Sequence, residues 1–71
     1  MADFQSTAMR RRLAKVERNL ADDHDGAANR ATETVQRTFH ARAAQSCRAR
    51  ADAYDARADR EEAQAAQDAC R

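Results

Sequence analysis

Alanine supplies most of the apolar surface of this 71-residue chain, and proline is absent. Alanine is the best helix former and proline the strongest helix breaker, so the sequence favours helix almost throughout. Alanine nevertheless gives a helix little to bury, and after Phe39 the only large apolar residue is Tyr54. We therefore expect an all-α protein that is extended and has no independent globular core.

A short amphipathic helix is predicted over about residues 3–23. Its apolar residues recur at intervals of four, three and four, which is the pattern of one helix face. They are Met9, Leu13, Val16 and Leu20, and Phe4 extends the same face by one turn. Asp3 or Ser6 is expected to cap the start of this helix.

A turn is predicted near Asp22–Gly26, followed by one long Ala-rich helix over about residues 27–70. Gly26 is the only glycine of the chain, and Asp25 can cap a helix that begins just after it. A continuous helix with a kink is the alternative, since one helical glycine costs only about 1 kcal/mol. Residues 1–71 are expected to form a single helical unit.

The long helix has a stripe of small and apolar residues with a mean step of about 3.7 residues, nearer to an eleven-residue repeat than to a heptad. The stripe consists of Ala28, Ala31, Val35, Phe39, Ala43, Cys47, Ala51, Tyr54, Ala58, Ala65 and Ala69. Small side chains allow close approach of another backbone, so this stripe is expected to lie on a partner surface.

The large apolar residues are too few to stabilise a small domain without help, which favours docking on a partner. Large apolar and aromatic side chains dominate the energy of interfaces. The expected docking residues are Phe4, Met9, Leu13, Val16, Leu20, Val35, Phe39 and Tyr54.

A basic stretch in the first helix is a candidate contact for an anionic partner. It consists of Arg10, Arg11, Arg12, Lys15 and Arg18, whereas the net charge of the whole chain is only +1. Nucleic-acid binders usually have a larger basic field, and single-strand binders place aromatic residues within it. Nucleic acid is therefore not the expected partner, and an acidic protein surface would suit the stretch as well.

Cys47 and Cys70 are too far apart to bond to each other. On one continuous helix they are separated by about 34 Å, whereas a disulfide needs Cα atoms within about 7 Å. Each cysteine is then either a free thiol or an interchain disulfide to a neighbour, and both alternatives remain open.

No catalytic motif, metal site or cofactor site is expected. The chain lacks a CxxC pair, a zinc-ligand spacing of Cys and His, a phosphate loop and a nucleophile motif, so it is not expected to be an enzyme. It also has no apolar stretch typical of a membrane span or a signal peptide.

The chain resembles the small helical accessory proteins of tailed bacteriophage particles, which decorate a capsid or link its proteins. The resemblance depends on Cys47 and Cys70, which cannot pair internally, and on a long helix without a core. It implies capsid or tail proteins as partners, interchain disulfides and a place in the virion; otherwise the expected compartment is the cytoplasm.

Two alternative functions are compatible with the same sequence. One is a small basic helical protein with a regulatory or nucleic-acid-associated role. The other is a helical bundle formed by self-association, which makes a homo-oligomer.

Overall fold

The chain forms a hairpin of two helices in the computed structural model, which describes residues 6–70. Helix α1 comprises Thr7–Arg30 and helix α2 comprises Thr34–Ala69. The two helices run antiparallel and pack against each other along most of α1. The described residues include no strand, and the principal extents are 58 × 23 × 13 Å. The predicted all-α, two-helix and extended architecture is therefore confirmed.

Helix α1 begins where a serine can accept the first free amide. The Ser6 hydroxyl accepts a hydrogen bond from the backbone N–H of Met9 at 3.1 Å, which satisfies one of the unpaired donors of the first turn. The helix ends at Arg30 because Ala31 has extended backbone angles. The Ala31 N–H still donates to the carbonyls of Ala27 and Ala28, at 3.0 and 3.3 Å.

The turn lies further along the chain than predicted. Asp22–Gly26 is helical and lies inside α1, whereas the chain reverses direction over residues 31–33. Gly26 does not adopt a positive φ, so its conformational freedom is not used to end the helix. Asp22 and Asp25 both accept hydrogen bonds from Arg48 of α2. These bonds form only if α1 continues beside α2. A helical glycine costs only about 1 kcal/mol, so Gly26 does not prevent this.

The helices meet along a line of alanines that we call the seam. Residues Ala14 and Ala21 of α1 are fully buried, as are three α2 alanines at the same seven-residue spacing, Ala44, Ala51 and Ala58. With the half-buried residues between them, the seam positions alternate at three and four residues. They are Arg10, Ala14, Glu17, Ala21 and His24 on α1 and His40, Ala44, Cys47, Ala51, Tyr54, Ala58 and Glu61 on α2.

This spacing corrects the stripe expected from the sequence. Cys47, Ala51 and Ala58 of that stripe are buried, but Val35 and Phe39 are exposed and so are Ala65 and Ala69. A step of about 3.5 residues favours the left-handed coiling of a heptad pair rather than a straight or right-handed stripe. Alanine at these positions lets two helix axes approach to about 8 Å, the lower end of the usual range.

Candidate interaction surfaces

The seam divides the hairpin into two sides. An α-helix turns by about 100° per residue, so residues just before and just after a seam position point to opposite sides of it. Because the helices are antiparallel, the residues that follow seam positions lie on the same side of the hairpin for both helices. The residues that precede seam positions share the other side.

The side formed by the residues that follow seam positions is charged, and we call it the charged side. Its ion pairs join the two helices and confirm the geometric assignment, since every one of them is between residues of this set. They are Arg11 with Asp55, Asp59 and Glu62, Arg18 with Asp52 and Asp55, and Arg48 with Asp22 and Asp25. Isolated exposed pairs contribute little, whereas a network that spans two helices helps to fix their register.

The network also changes the titration of its members. Hydrogen bonds from Arg18 and then Arg11 hold the pKa of the Asp55 carboxyl below its ordinary value. Hydrogen bonds to Asp59, Glu62 and Asp55 raise the pKa of Arg11. The arginines therefore stay charged, and Asp55 keeps its negative charge to a lower pH than a free carboxylate.

Most of the basic stretch of α1 faces the protein itself. Arg11 and Arg18 bond to carboxylates of α2, and Arg10 is buried in the seam. Arg12 and Lys15 are exposed and make no ion pair within residues 6–70. The candidate contact for an anionic partner is therefore divided: Arg11 and Arg18 are partly exposed but paired with carboxylates of α2, whereas Arg12 and Lys15 are exposed without such a pair among the described residues. Sequence reasoning missed this because the partners are 34 to 51 residues away along the chain.

Arg10 and Glu61 form the buried end of the seam. The Nη1 atom of Arg10 donates to both carboxylate oxygens of Glu61, at 2.5 and 2.7 Å. The Arg10 side chain is almost fully buried, whereas the Glu61 side chain is 39% exposed. A buried cation requires such a partner, so this pair fixes the α1 start against α2.

The opposite side, formed by the residues that precede seam positions, is apolar on α1, and we call it the apolar side. Met9, Val16 and Leu20 are about half exposed, and Leu13 is half-buried. Across from them, α2 contributes Phe39, Ala43, Ser46, Arg50, Ala53, Arg57 and Arg60. The four predicted docking residues of α1 thus lie on one surface, and none of them is buried in the seam.

Two open concavities lie along α2. The larger, of about 480 Å³, is near the turn and is lined by Val35, Phe39 and neighbouring residues of the same helix. The smaller, of about 230 Å³, lies on the apolar side between Arg10, Arg50, Ala53, Tyr54 and Arg57. Tyr54 is half-buried and lines the smaller concavity, and its docking role stays a prediction.

Phe39 and two histidines form a cluster of rings next to the turn. The Nδ1 atoms of His24 and His40 are 2.9 Å apart, and the Phe39 ring stands edge-on to both imidazoles. One imidazole must donate and the other accept in this contact. Phe39 remains 62% exposed and Val35 79% exposed, so both keep the accessibility that docking requires. Phe4 lies outside the described residues.

The two cysteines have different environments. Cys47 is buried in the seam, where its sulfur accepts a hydrogen bond from Arg50 at 3.3 Å, whereas Cys70 is exposed at the end of α2. Both are free thiols. Of the two predicted interchain links, only one through Cys70 can form without opening the hairpin.

The described residues contain neither a candidate metal site nor a membrane-spanning segment. Among residues 6–70 no group of three or more His, Cys, Asp or Glu side chains is placed to hold a metal ion. Neither helix in that range contains an apolar segment long enough to span a bilayer. No protein family, curated protein or solved structure matches this chain.

Proposed function

We propose that this is a non-enzymatic interaction protein that docks through its apolar side on a larger assembly. The observation that carries the proposal is where the hairpin places its small and its large apolar residues. Alanines form the seam, whereas the larger Met9, Val16 and Leu20 are left about half exposed. Large apolar side chains that hold a hairpin together would be expected inside it, so their place on the surface favours a second protein.

The assembly we propose is a virion, with capsid or tail proteins as partners. Support comes from the resemblance to phage accessory proteins and from the exposed Cys70, which is available for an interchain disulfide. The covalent step would join two thiols with loss of two electrons and two protons to an oxidant such as dissolved oxygen. If the assembly is not a virion, the compartment we propose is the cytoplasm.

Site-specific photocrosslinking tests the docking surface. The photoreactive residue p-benzoylphenylalanine is placed at Val16 on the apolar side, or at Asn19 on the outer face of α1 as the matched control. Both positions are exposed and three residues apart on one helix. Irradiation of the native assembly should give a defined adduct from position 16 only. Equal adducts from both positions, or none from either, would contradict docking through this surface.

Mass spectrometry of the unreduced assembly tests the disulfide. A peptide containing Cys70 should be linked to a peptide of another chain, and Cys70→Ser should remove that link. Complete alkylation of both thiols without a reductant would refute the covalent part and leave the docking part intact.

Self-association is the second candidate, because the same apolar side could cover a copy of itself. Sedimentation equilibrium of the purified chain over a hundredfold range of concentration distinguishes the two. A monomer throughout that range favours a different partner. The nucleic-acid alternative loses support because Arg10, Arg11 and Arg18 are engaged with carboxylates of α2.

A further inference from the structure

We propose that His24 and His40 make the turn end of the hairpin sensitive to pH, so that it is closed near neutral pH and opens in mild acid. This sensitivity is a property of the hairpin itself and does not depend on the docking function. Two observations carry it. The two imidazoles contact each other directly across the seam, and among residues 6–70 no carboxylate bonds to either of them.

The two imidazoles meet nitrogen to nitrogen at the seam position nearest to the turn. Their Nδ1 atoms are 2.9 Å apart, and their ring centroids are 5.2 Å apart. Both side chains are half-buried, and the Phe39 ring stands edge-on to each. The contact therefore joins α1 to α2 where the chain is about to reverse direction.

The contact has room for one proton between the two Nδ1 atoms. A neutral imidazole carries a proton on one ring nitrogen and a lone pair on the other, whereas an imidazolium donates from both nitrogens. One N–H and one lone pair form a hydrogen bond, which holds when neither ring or only one ring is charged. Two imidazolium rings would place two N–H groups and two positive charges against each other at this distance. The closed contact therefore excludes the doubly charged state.

The charged groups around the pair do not relieve this repulsion. Arg48 of α2 pairs with Asp22 and Asp25, and Arg37 donates to the carbonyl of Thr32. With Arg48, the carboxylates and guanidinium groups near the pair are equal in number, so their net charge is zero. Those within four residues of either histidine, or in the turn, are Asp22, Asp23, Asp25, Arg30, Glu33, Arg37 and Arg42.

The excluded charge state couples opening of the turn end to pH. When the contact opens, both imidazoles can take up a proton, whereas the closed contact holds one proton fewer. Stability rises with pH wherever the open state binds more protons. The closed form is therefore favoured near pH 7 and loses stability as the pH falls below about 6.5, the ordinary range of histidine ionisation. A difference of one proton increases opening by up to about tenfold for each pH unit.

The range from pH 7 to pH 5 isolates the two rings. His24 and His40 are the only histidines of the chain. Carboxylates ordinarily ionise below this range and thiols above it. Because one shared proton remains in the closed contact, we expect opening to increase about tenfold in total between pH 7 and pH 5.

Two measurements on the purified full chain test the proposal. At pH 7, ¹⁵N NMR of the imidazoles should show one Nδ1 atom protonated and the other unprotonated, since their hydrogen bond needs one of each. From pH 7 to pH 5, the protection of buried Cys47 relative to exposed Cys70 should fall about tenfold. Cys47 is suited to this because it is two seam positions from His40, in one cluster with Ala21 and Ala44. Dithiodipyridine is the reagent, because it reacts with thiols in mild acid.

Single substitutions assign the effect to the pair. His24→Gln and His40→Gln each keep a hydrogen-bonding side chain and leave one ring, which can be charged without facing a second cation. Each should reduce the change in protection between pH 7 and pH 5 to less than twofold. Asp23→Asn is the matched control, because it removes an exposed carboxylate next to His24 and keeps both rings. It should retain the tenfold change.

Three results would overturn the proposal. They are the same protonation state at both Nδ1 atoms at pH 7, constant protection of Cys47 in the parent chain from pH 7 to pH 5, and an undiminished change in either glutamine variant. Loss of the change in Asp23→Asn would also overturn it, because the sensitivity would then belong to the carboxylate. The NMR result comes from the parent chain and decides the matter even if a variant does not fold.

Discussion

The alanine seam predicts that a larger side chain at a seam position weakens the packing of the two helices, whereas the same substitution on the outer face of α2 does not. Ala51 is fully buried against α1, whereas Ala49 is exposed on the outer face of α2. Ala51→Leu adds three carbons to a seam that has no room for them, and overpacking of this kind costs about 1–3 kcal/mol. Ala49→Leu makes the same chemical change without that cost, because leucine and alanine are both strong helix formers.

The chain contains its own reporter for this experiment. The Cys47 thiol is buried in the seam, and the Cys70 thiol is exposed and serves as the internal reference. A thiol reagent reaches Cys47 only when the hairpin opens, so the rate ratio of the two thiols measures the opening equilibrium. A loss of about 1–3 kcal/mol corresponds to roughly a fivefold to 150-fold fall in the protection of Cys47.

The expected result is therefore a large fall in protection for Ala51→Leu and almost none for Ala49→Leu. Mass spectrometry after timed alkylation of the fully reduced protein gives both rates from one sample. If the two variants react alike, or if Cys47 of the parent chain reacts as fast as Cys70, the tightly packed alanine seam is wrong. Far-UV circular dichroism checks that both variants remain helical.

Three further predictions concern the stability of the hairpin. Glu61→Gln removes the negative charge from the partner of buried Arg10 and should cost about 2 kcal/mol, less than a fully buried pair because Glu61 is partly exposed, as measured by urea titration. A hydrogen bond from Arg18 lowers the pKa of the Asp55 carboxyl in the folded state, so the stabilisation by ionised Asp55 is fully present above the ordinary pKa near 3.8. That stabilisation is lost as the pH falls through the lower folded-state pKa. Thermal melts from pH 7 to pH 2 should show a smaller loss of stability in acid for Asp55→Asn than for the parent chain. Gly26→Ala should raise stability by about 0.5–1 kcal/mol, since the added methyl group meets only the end of a flexible arginine, whereas a helix that ended at Gly26 would be destabilised.

The local features of the fold could be predicted from the sequence. The spacing of Met9, Leu13, Val16 and Leu20 correctly indicated a helix with one apolar face, and Ser6 proved to be the cap. These are effects within one or two turns, where hydrogen bonding and side-chain periodicity are decided by near neighbours. The residues of that apolar face remain partly exposed in α1, and their docking role stays a prediction.

The position of the turn and the line of contact could not be predicted by the same reasoning. The sequence favoured a turn at Gly26 because glycine ends many helices, but the segment is helical and its Asp22 and Asp25 pair with Arg48 of α2. The seam was missed because alanine occurs on every face of α2, so apolarity does not distinguish one face from another. The seven-residue interval between Ala14, Ala21 and Ala28 was the signal that α1 continues past Gly26.

The roles of the basic stretch depended on the register of two helices, which no local pattern specifies. Arg11 pairs with residues 44 to 51 positions away, and a slip of one turn would give it other neighbours. The sequence could list these cations as candidates for an anionic partner, and it had no means of showing that α2 supplies the anions.

A body whose thinnest dimension is 13 Å is scarcely deeper than a single helix with its side chains, which is about 10–12 Å across. Nearly every described residue outside the seam is consequently at the protein surface. Replacing such a residue changes what the molecule adheres to far more than whether it holds its shape. A few substitutions on one side of so thin a hairpin can therefore change which partner it binds. The other side and the seam between the two helices are left unchanged.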